Sequence, residues 1–142
     1  MRQRLKPLGV QPRQARILDA LNRMKRASQV DLAREFDVTP ASMSTMTSRL
    51  IRDGLITREP NQEELRSNVL ALTDQGLHLL EAIYVVWREV DRDIEEAIGF
   101  KKARDLGRLT LDLRNALGGR TPGGEVWRKD AVAHKPDRDV TE

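Results

Sequence analysis

Apolar positions in the first third of the chain fall at helical spacing in three short blocks separated by polar turn residues. Ala15, Ile17, Leu18, Leu21 and Met24 follow Pro12, a residue suited to a first helical turn, and predict a helix from Pro12 to about Lys25. Ser28 then stands where a cap belongs and Asp31 where an acid meets the positive end of a helix. This second helix is expected to bury Val30, Ala33 and Phe36. Asp37-Val38 reads as a tight turn, after which Thr39-Pro40, a capping hydroxyl followed by proline, opens a third helix reaching about Asp53. Its inner stripe is Met43, Met46 and Leu50 with Ile51, and Gly54 supplies the left-handed residue that ends it.

The period then changes from helix to strand. Residues 55–58 read as a short strand, 59–64 as a polar turn and 67–72 as a second strand, which together make a hairpin. Thr73 caps a long helix from Asp74 to about Ala97, carrying Leu77, Leu80, Tyr84, Trp87, Ile94 and Ile98. It is too long for one small core to cover. A final helix from about Lys101 to Leu117 carries Ala103, Leu106, Leu109, Leu113 and Leu117 and stops at Gly118-Gly119. Residues 118–124 read as a linker. The remainder to Glu142 has mixed charge and one large apolar residue, Trp127, and reads as a tail.

Charge adds a direction to this pattern. The 142 residues suit one domain with an appendage, and their 25 basic and 22 acidic side chains nearly balance. The balance is uneven along the chain: residues 1–58 hold 12 basic and 5 acidic side chains, net +7, and residues 59–142 hold 13 and 17, net −4. Nineteen of the basic residues are Arg, whose guanidinium fork suits phosphates and base edges. With only five aromatic residues, stacking of single-stranded bases is disfavoured and duplex DNA is the expected partner. The absence of cysteine excludes a disulfide framework, a thiolate metal site and a thiol switch, and two His make a zinc site improbable. No apolar run approaches a membrane span and the first ten residues lack a signal-peptide core, so a cytoplasmic address is expected. No phosphate loop, nucleophile elbow or His-carboxylate dyad points to an enzyme, and no cofactor is implied.

Helix, tight turn, helix and hairpin together describe a winged helix-turn-helix. From Val38 to Arg52 there is no acidic residue, and removing the inner stripe leaves Ser42, Ser44, Thr45, Thr47, Ser48, Arg49 and Arg52 on the other faces of the third helix. Short polar groups with Arg allow close approach in a major groove. Arg58 and Arg66 bracket the hairpin, and Arg66 is the candidate for a narrow minor groove. The same helix pair also suits a module that docks a protein, with the basic face incidental.

The chain resembles the MarR family of bacterial regulators over about Leu5 to Leu117. The resemblance is carried by Arg49-Leu50, Gly54-Leu55-Ile56, Arg58, Glu64-Leu65-Arg66-Ser67 and Leu72-Thr73-Asp74-Gln75-Gly76. It implies a mainly α fold with a hairpin wing and long dimerisation helices, divided into a DNA-binding lobe at 1–76, a dimerisation region at 77–117 and a tail at 118–142. It further implies a homodimeric repressor on pseudo-palindromic duplex DNA, relieved by a small aromatic or phenolic effector. Glu64, Leu65 and Arg66 stand where the family usually has Asp, Arg and Arg, which removes one wing cation. Family members usually carry a further helix before the segment matching Leu5 to Gln14. Part of the usual dimer interface is therefore expected to be absent, with the Trp127 tail packing on the partner instead. For the effector, Arg16, His78, Tyr84 and Trp87 are the candidate lining groups, because an anionic aromatic needs apolar walls and fixed donors. Tyr84 and Trp87 also fit core positions, and His78 also fits a surface site near a helix start.

Overall fold

The computed structural model describes residues 1–60 and 68–118. A short helix α1 (Arg2–Leu5) and a 3-10 turn (Lys6–Leu8) lead into α2 (Pro12–Met24), which opens with Pro in its first turn and a Gln11/Gln14 capping box. Next come β1 (Arg26–Ser28), α3 (Gln29–Glu35) and α4 (Pro40–Arg52). Strands β2 (Ile56–Pro60) and β3 (Asn68–Leu72) follow, then α5 (Asp74–Ile98) and α6 (Phe100–Ala116). The expected caps form: Ser28 Oγ accepts from the Asp31 amide, Thr39 Oγ1 from that of Ser42 and Thr73 Oγ1 from that of Gly76. Asp37 takes the left-handed conformation in the turn between α3 and α4, with φ +50°, which Asp tolerates better than most residues.

The hairpin is part of a three-stranded antiparallel sheet in the order β1-β3-β2. β1 is the strand that periodicity does not reveal, because three residues are too few to show an alternation. Ala71 pairs with Arg26 on one side and Thr57 on the other, and over this small residue Arg26 meets Glu59 at 2.5 Å. Pro60 ends β2 on the outer edge of the sheet, where its missing N–H costs no ladder bond.

One apolar cluster runs from Leu5 through Ile17, Leu18, Leu21, Leu32, Met43, Leu50, Ile56 and Leu70 to Leu80 and Ile83. The first turns of α5 are therefore part of the lobe's core, so packing continues beyond residue 76. In α3 the buried positions are Leu32 and Ala33, whereas Val30 is exposed. Residues two positions apart on a helix are some 200° apart around its axis, so Leu32 and Val30 cannot share the inner face.

The joint between wing and long helix is unusually close. Gly54, at φ +71°, turns the chain out of α4, Thr73 Oγ1 donates to the Gly54 carbonyl at 2.7 Å, and the Leu55 carbonyl accepts from the Thr73 amide at 3.2 Å. A Cβ on Gly76 would lie 2.0 Å from that Leu55 oxygen, so only glycine fits there. This contact explains why Gly54-Leu55 and Thr73 to Gly76 occur together.

The far end of the molecule is different in kind. α6 has no buried residue over 17 positions, and it leaves Leu106, Leu109 and Leu113 at 51%, 60% and 61% exposure. Ile94 and Ile98 in the last turns of α5 and Phe100 at the start of α6 are exposed as well. Among the described residues no helix is long and apolar enough to cross a membrane.

Candidate nucleic-acid interface

Helix α4 is positioned by its buried stripe and by one side-chain bond. Met43, Thr47 and Leu50 are buried at positions i, i+4 and i+7, while Met46 and Ile51 are half-buried beside them. Thr47 thus leaves the set of expected DNA contacts: it is 0% exposed. Its hydroxyl lies 3.0 Å from the Met43 carbonyl and accepts from Gln29 Nε2 of α3 at 3.2 Å. A hydroxyl satisfied in this way can take an apolar position, which residue type alone does not disclose. The Gln29 to Thr47 bond links the two helices of the turn and went unread in the sequence because its partners are 18 residues apart.

The outward face of α4 carries the remaining candidates. Ser42, Thr45, Ser48, Arg49 and Arg52 are exposed, and Ser44 is half-buried. Thr45 and Ser48 donate to the carbonyls one turn back, at 3.2 and 2.7 Å, which leaves oxygen lone pairs outward as acceptors. Arg49 Nε lies 3.6 Å from Asp53. Arg52 and Arg58 line an open groove of about 310 Å³ with Ser48 and Ile51, between α4 and β2. Two guanidinium groups over an apolar floor suit an anionic, ridged surface such as a sugar-phosphate backbone. Glu64 and Arg66 lie outside the described residues.

Of the four candidate effector contacts, only Tyr84 and Trp87 are brought together. Arg16 is exposed on α2, and the His78 side chain is 82% exposed, 3.9 Å from Glu81. Tyr84 and Trp87 are half-buried against the core with ring centroids 5.6 Å apart. The Tyr84 hydroxyl donates to Asp19 at 2.7 Å and lies 3.5 Å from Asn22 Nδ2, so its polar end is spoken for inside the fold. A separate open hollow of about 550 Å³ is lined by Leu8, Val10, Leu55, Gln75, His78 and Leu79, among others, so His78 is the one candidate of the four that reaches it. The signal for Asp19 was present in the sequence as a lone acid inside the run from Ile17 to Leu21, the most apolar stretch of α2.

Burial first, and then the hydrogen bond to Asp19, pushes the Tyr84 phenol up to about 12 from its ordinary 10.0. The neutral form is the one favoured by folding, so this contribution is intact below pH 10 and is lost as pH rises toward 12. Tyr84 is the sole tyrosine of the chain, so phenolate absorbance reports it alone. Its midpoint is expected well above that of free tyrosine, and Asp19→Asn should bring it part of the way back. A midpoint at the free value would show that the phenol is neither buried nor bonded to Asp19 in solution.

The MarR family model matches residues 8–67. The chain is similar to the HTH-type transcriptional regulator BilQ of Clostridioides difficile (strain CD3), with 28% identity over 100 residues, 68% of each chain. In fold it is similar to the reduced form of MarR from E. coli, with a TM-score of 0.72 and 19% identity over 79% of this chain and 83% of that one. The S. aureus MepR-DNA complex is similarly alike, with a TM-score of 0.70 and 20% identity over 82% of this chain and 86% of that one. YusO from Bacillus subtilis superposes with a TM-score of 0.67 at 23% identity, over 81% and 82%.

Proposed function

We propose that this chain is a MarR-type transcriptional repressor that binds pseudo-palindromic duplex DNA as a homodimer, a reading supported by the family model over residues 8–67 and by the likeness to BilQ. The observation that supports the DNA reading is the acid-free outward face of α4 beside the Arg52 and Arg58 groove. Ser42, Thr45 and Ser48, with Ser44, meet base edges in the major groove. Arg49, Arg52 and Arg58 meet phosphates, and Arg66 a narrow minor groove. Solved relatives of the same fold include MarR from E. coli with operator DNA and MepR from S. aureus with DNA. The exposed apolar face of α5 and α6 supports the dimer. Two copies of the fold place their recognition helices about one helical turn apart, ~34 Å. The effector is a small aromatic or phenolic ligand, and the hollow lined by Asp53, Gln75 and His78, with Leu8, Val10, Leu55 and Leu79 as walls, offers it polar partners and apolar surface.

Selection from a random duplex library followed by gel-shift titration tests this reading. Log affinity should fall steeply with log salt, because several phosphates displace counterions. Arg52→Ala and Arg58→Ala should each weaken binding about tenfold to a hundredfold and flatten the salt slope by about one. A phenolic acid should release the selected duplex. No selected sequence and a flat salt dependence would favour the protein-docking module instead.

A further inference from the structure

Asp19, Arg23, Glu35 and Tyr84 form one polar chain across three helices. The Tyr84 hydroxyl of α5 donates to Asp19 Oδ1 of α2 at 2.7 Å, and Asp19 Oδ2 accepts from Arg23 Nε at 3.2 Å. Arg23 Nη1 then faces Glu35 Oε1, the last residue of α3, at 4.0 Å. The chain thus starts on the long helix and ends on the helix against which α4 packs. It is largely withdrawn from water: the side chains of Asp19, Arg23 and Glu35 are 15%, 14% and 24% exposed, and both Arg23 Nη1 and Glu35 Oε1 are buried without a hydrogen-bond partner.

Ion pairs so placed add little net stability, because desolvation offsets most of their attraction and apolar residues of equal volume often serve as well. What they add beyond apolar packing is direction. Apolar side chains accept many contact geometries, whereas an Asp19 carboxylate that accepts from both the Tyr84 phenol and Arg23 Nε, with Glu35 facing the guanidinium at 4.0 Å, favours few. We propose that the Tyr84-Asp19-Arg23-Glu35 chain is a strut that sets the angle between the reading head and the long helix, and so the separation of the two recognition helices in the dimer. Tyr84 is then a positioning residue rather than an effector contact.

The lever is long enough to matter. The strut ends on α3, packed helix axes lie ~8–10 Å apart, and a rotation of ~5° about the Glu35 end therefore moves α4 by ~0.8 Å. Hydrogen bonds to base edges tolerate a range of only ~0.5 Å. The inference rests on the dimeric reading above, and its test separates the two.

Duplexes recovered by selection are rebuilt with the centre one base pair longer or shorter. The wild type is expected to bind the native spacing at least tenfold more tightly than either altered duplex. Tyr84→Phe keeps the ring against Trp87 and removes only the hydroxyl, and Glu35→Gln loosens the opposite end. Each should lower that ratio at least threefold while leaving the light-scattering mass and the affinity for random duplex unchanged. The double variant should lose no more than the larger single loss, because both act on one strut. Wild-type spacing discrimination in both single variants would overturn the strut alone. A wild type indifferent to spacing would overturn the dimeric reading, and the strut with it.

Discussion

Leu109→Glu combined with Leu113→Glu should convert the protein to a monomer and weaken its operator binding at least a hundredfold. In the single chain these side chains are 60% and 61% exposed on a helix with no buried residue. An isolated helix of 17 residues is marginal in water, so α6 needs a cover to be stable. Burying each Leu contributes about 1.5–3 kcal/mol, and in a two-fold dimer every contact occurs twice. Four introduced carboxylates would have to be desolvated for the same interface to form, which reverses its sign. Operator affinity follows because a single reading head keeps only half of the contacts. Light scattering and gel shift check the two halves of this outcome separately, and circular dichroism should show reduced helix content at low concentration. A variant that remains dimeric would place the interface elsewhere on the chain.

The second large effect concerns Gly76→Ala. Helix propensity alone favours Ala by about 1 kcal/mol at most, the figure for a helix interior, and by less in a first turn such as that of Gly76. Sterics oppose it more strongly: the new Cβ would stand 2.0 Å from the Leu55 carbonyl oxygen and 3.1 Å from its carbon, both main-chain atoms. Relief requires β2 to move off the first turn of α5, which also breaks the Thr73 amide bond to Leu55. A net loss of about 3 kcal/mol is expected, lowering the thermal midpoint by about 10 °C. DNA affinity should suffer beyond the loss of folded protein, since the wing hangs from this joint. A midpoint equal to or above that of the wild type would mean that helix and strand are not in contact there.

The helix caps show where local reading works, and Gly76 and Thr47 show where it stops. Pro12, Ser28, Thr39 and Thr73 announce helix starts through chemistry confined to one turn, and the starts of α2, α4 and α5 agree with it. Gly76 could be read as part of a motif, but not as a contact, because Leu55 is 21 residues earlier. Thr47 has the same side chain as Thr45, and one is buried while the other is exposed. Their difference lies in helix phase, which puts Thr47 on the stripe of Met43 and Leu50, and Gln29 of α3 then bonds its buried hydroxyl. Strand β1 is visible only through its partner β3, because three residues form a strand when a ladder is already there to receive them.

The uneven charge, the acid-free third helix and the apolar stripes too long for one core were properties of the sequence alone, since each depends on residue type and spacing. They carried the reading of a winged helix-turn-helix with dimerising helices. Whether a polar side chain in that frame faces DNA, the core or another helix was decided by the tertiary structure. It moved Thr47 into the core and bound Tyr84 to Asp19. It also separated His78 from Tyr84 and Trp87, which propensity and period had left on one helix with no stated direction. The physical reason is range: capping and periodicity act within a few residues, whereas burial and hydrogen-bond partnership depend on which distant segments close over each side chain.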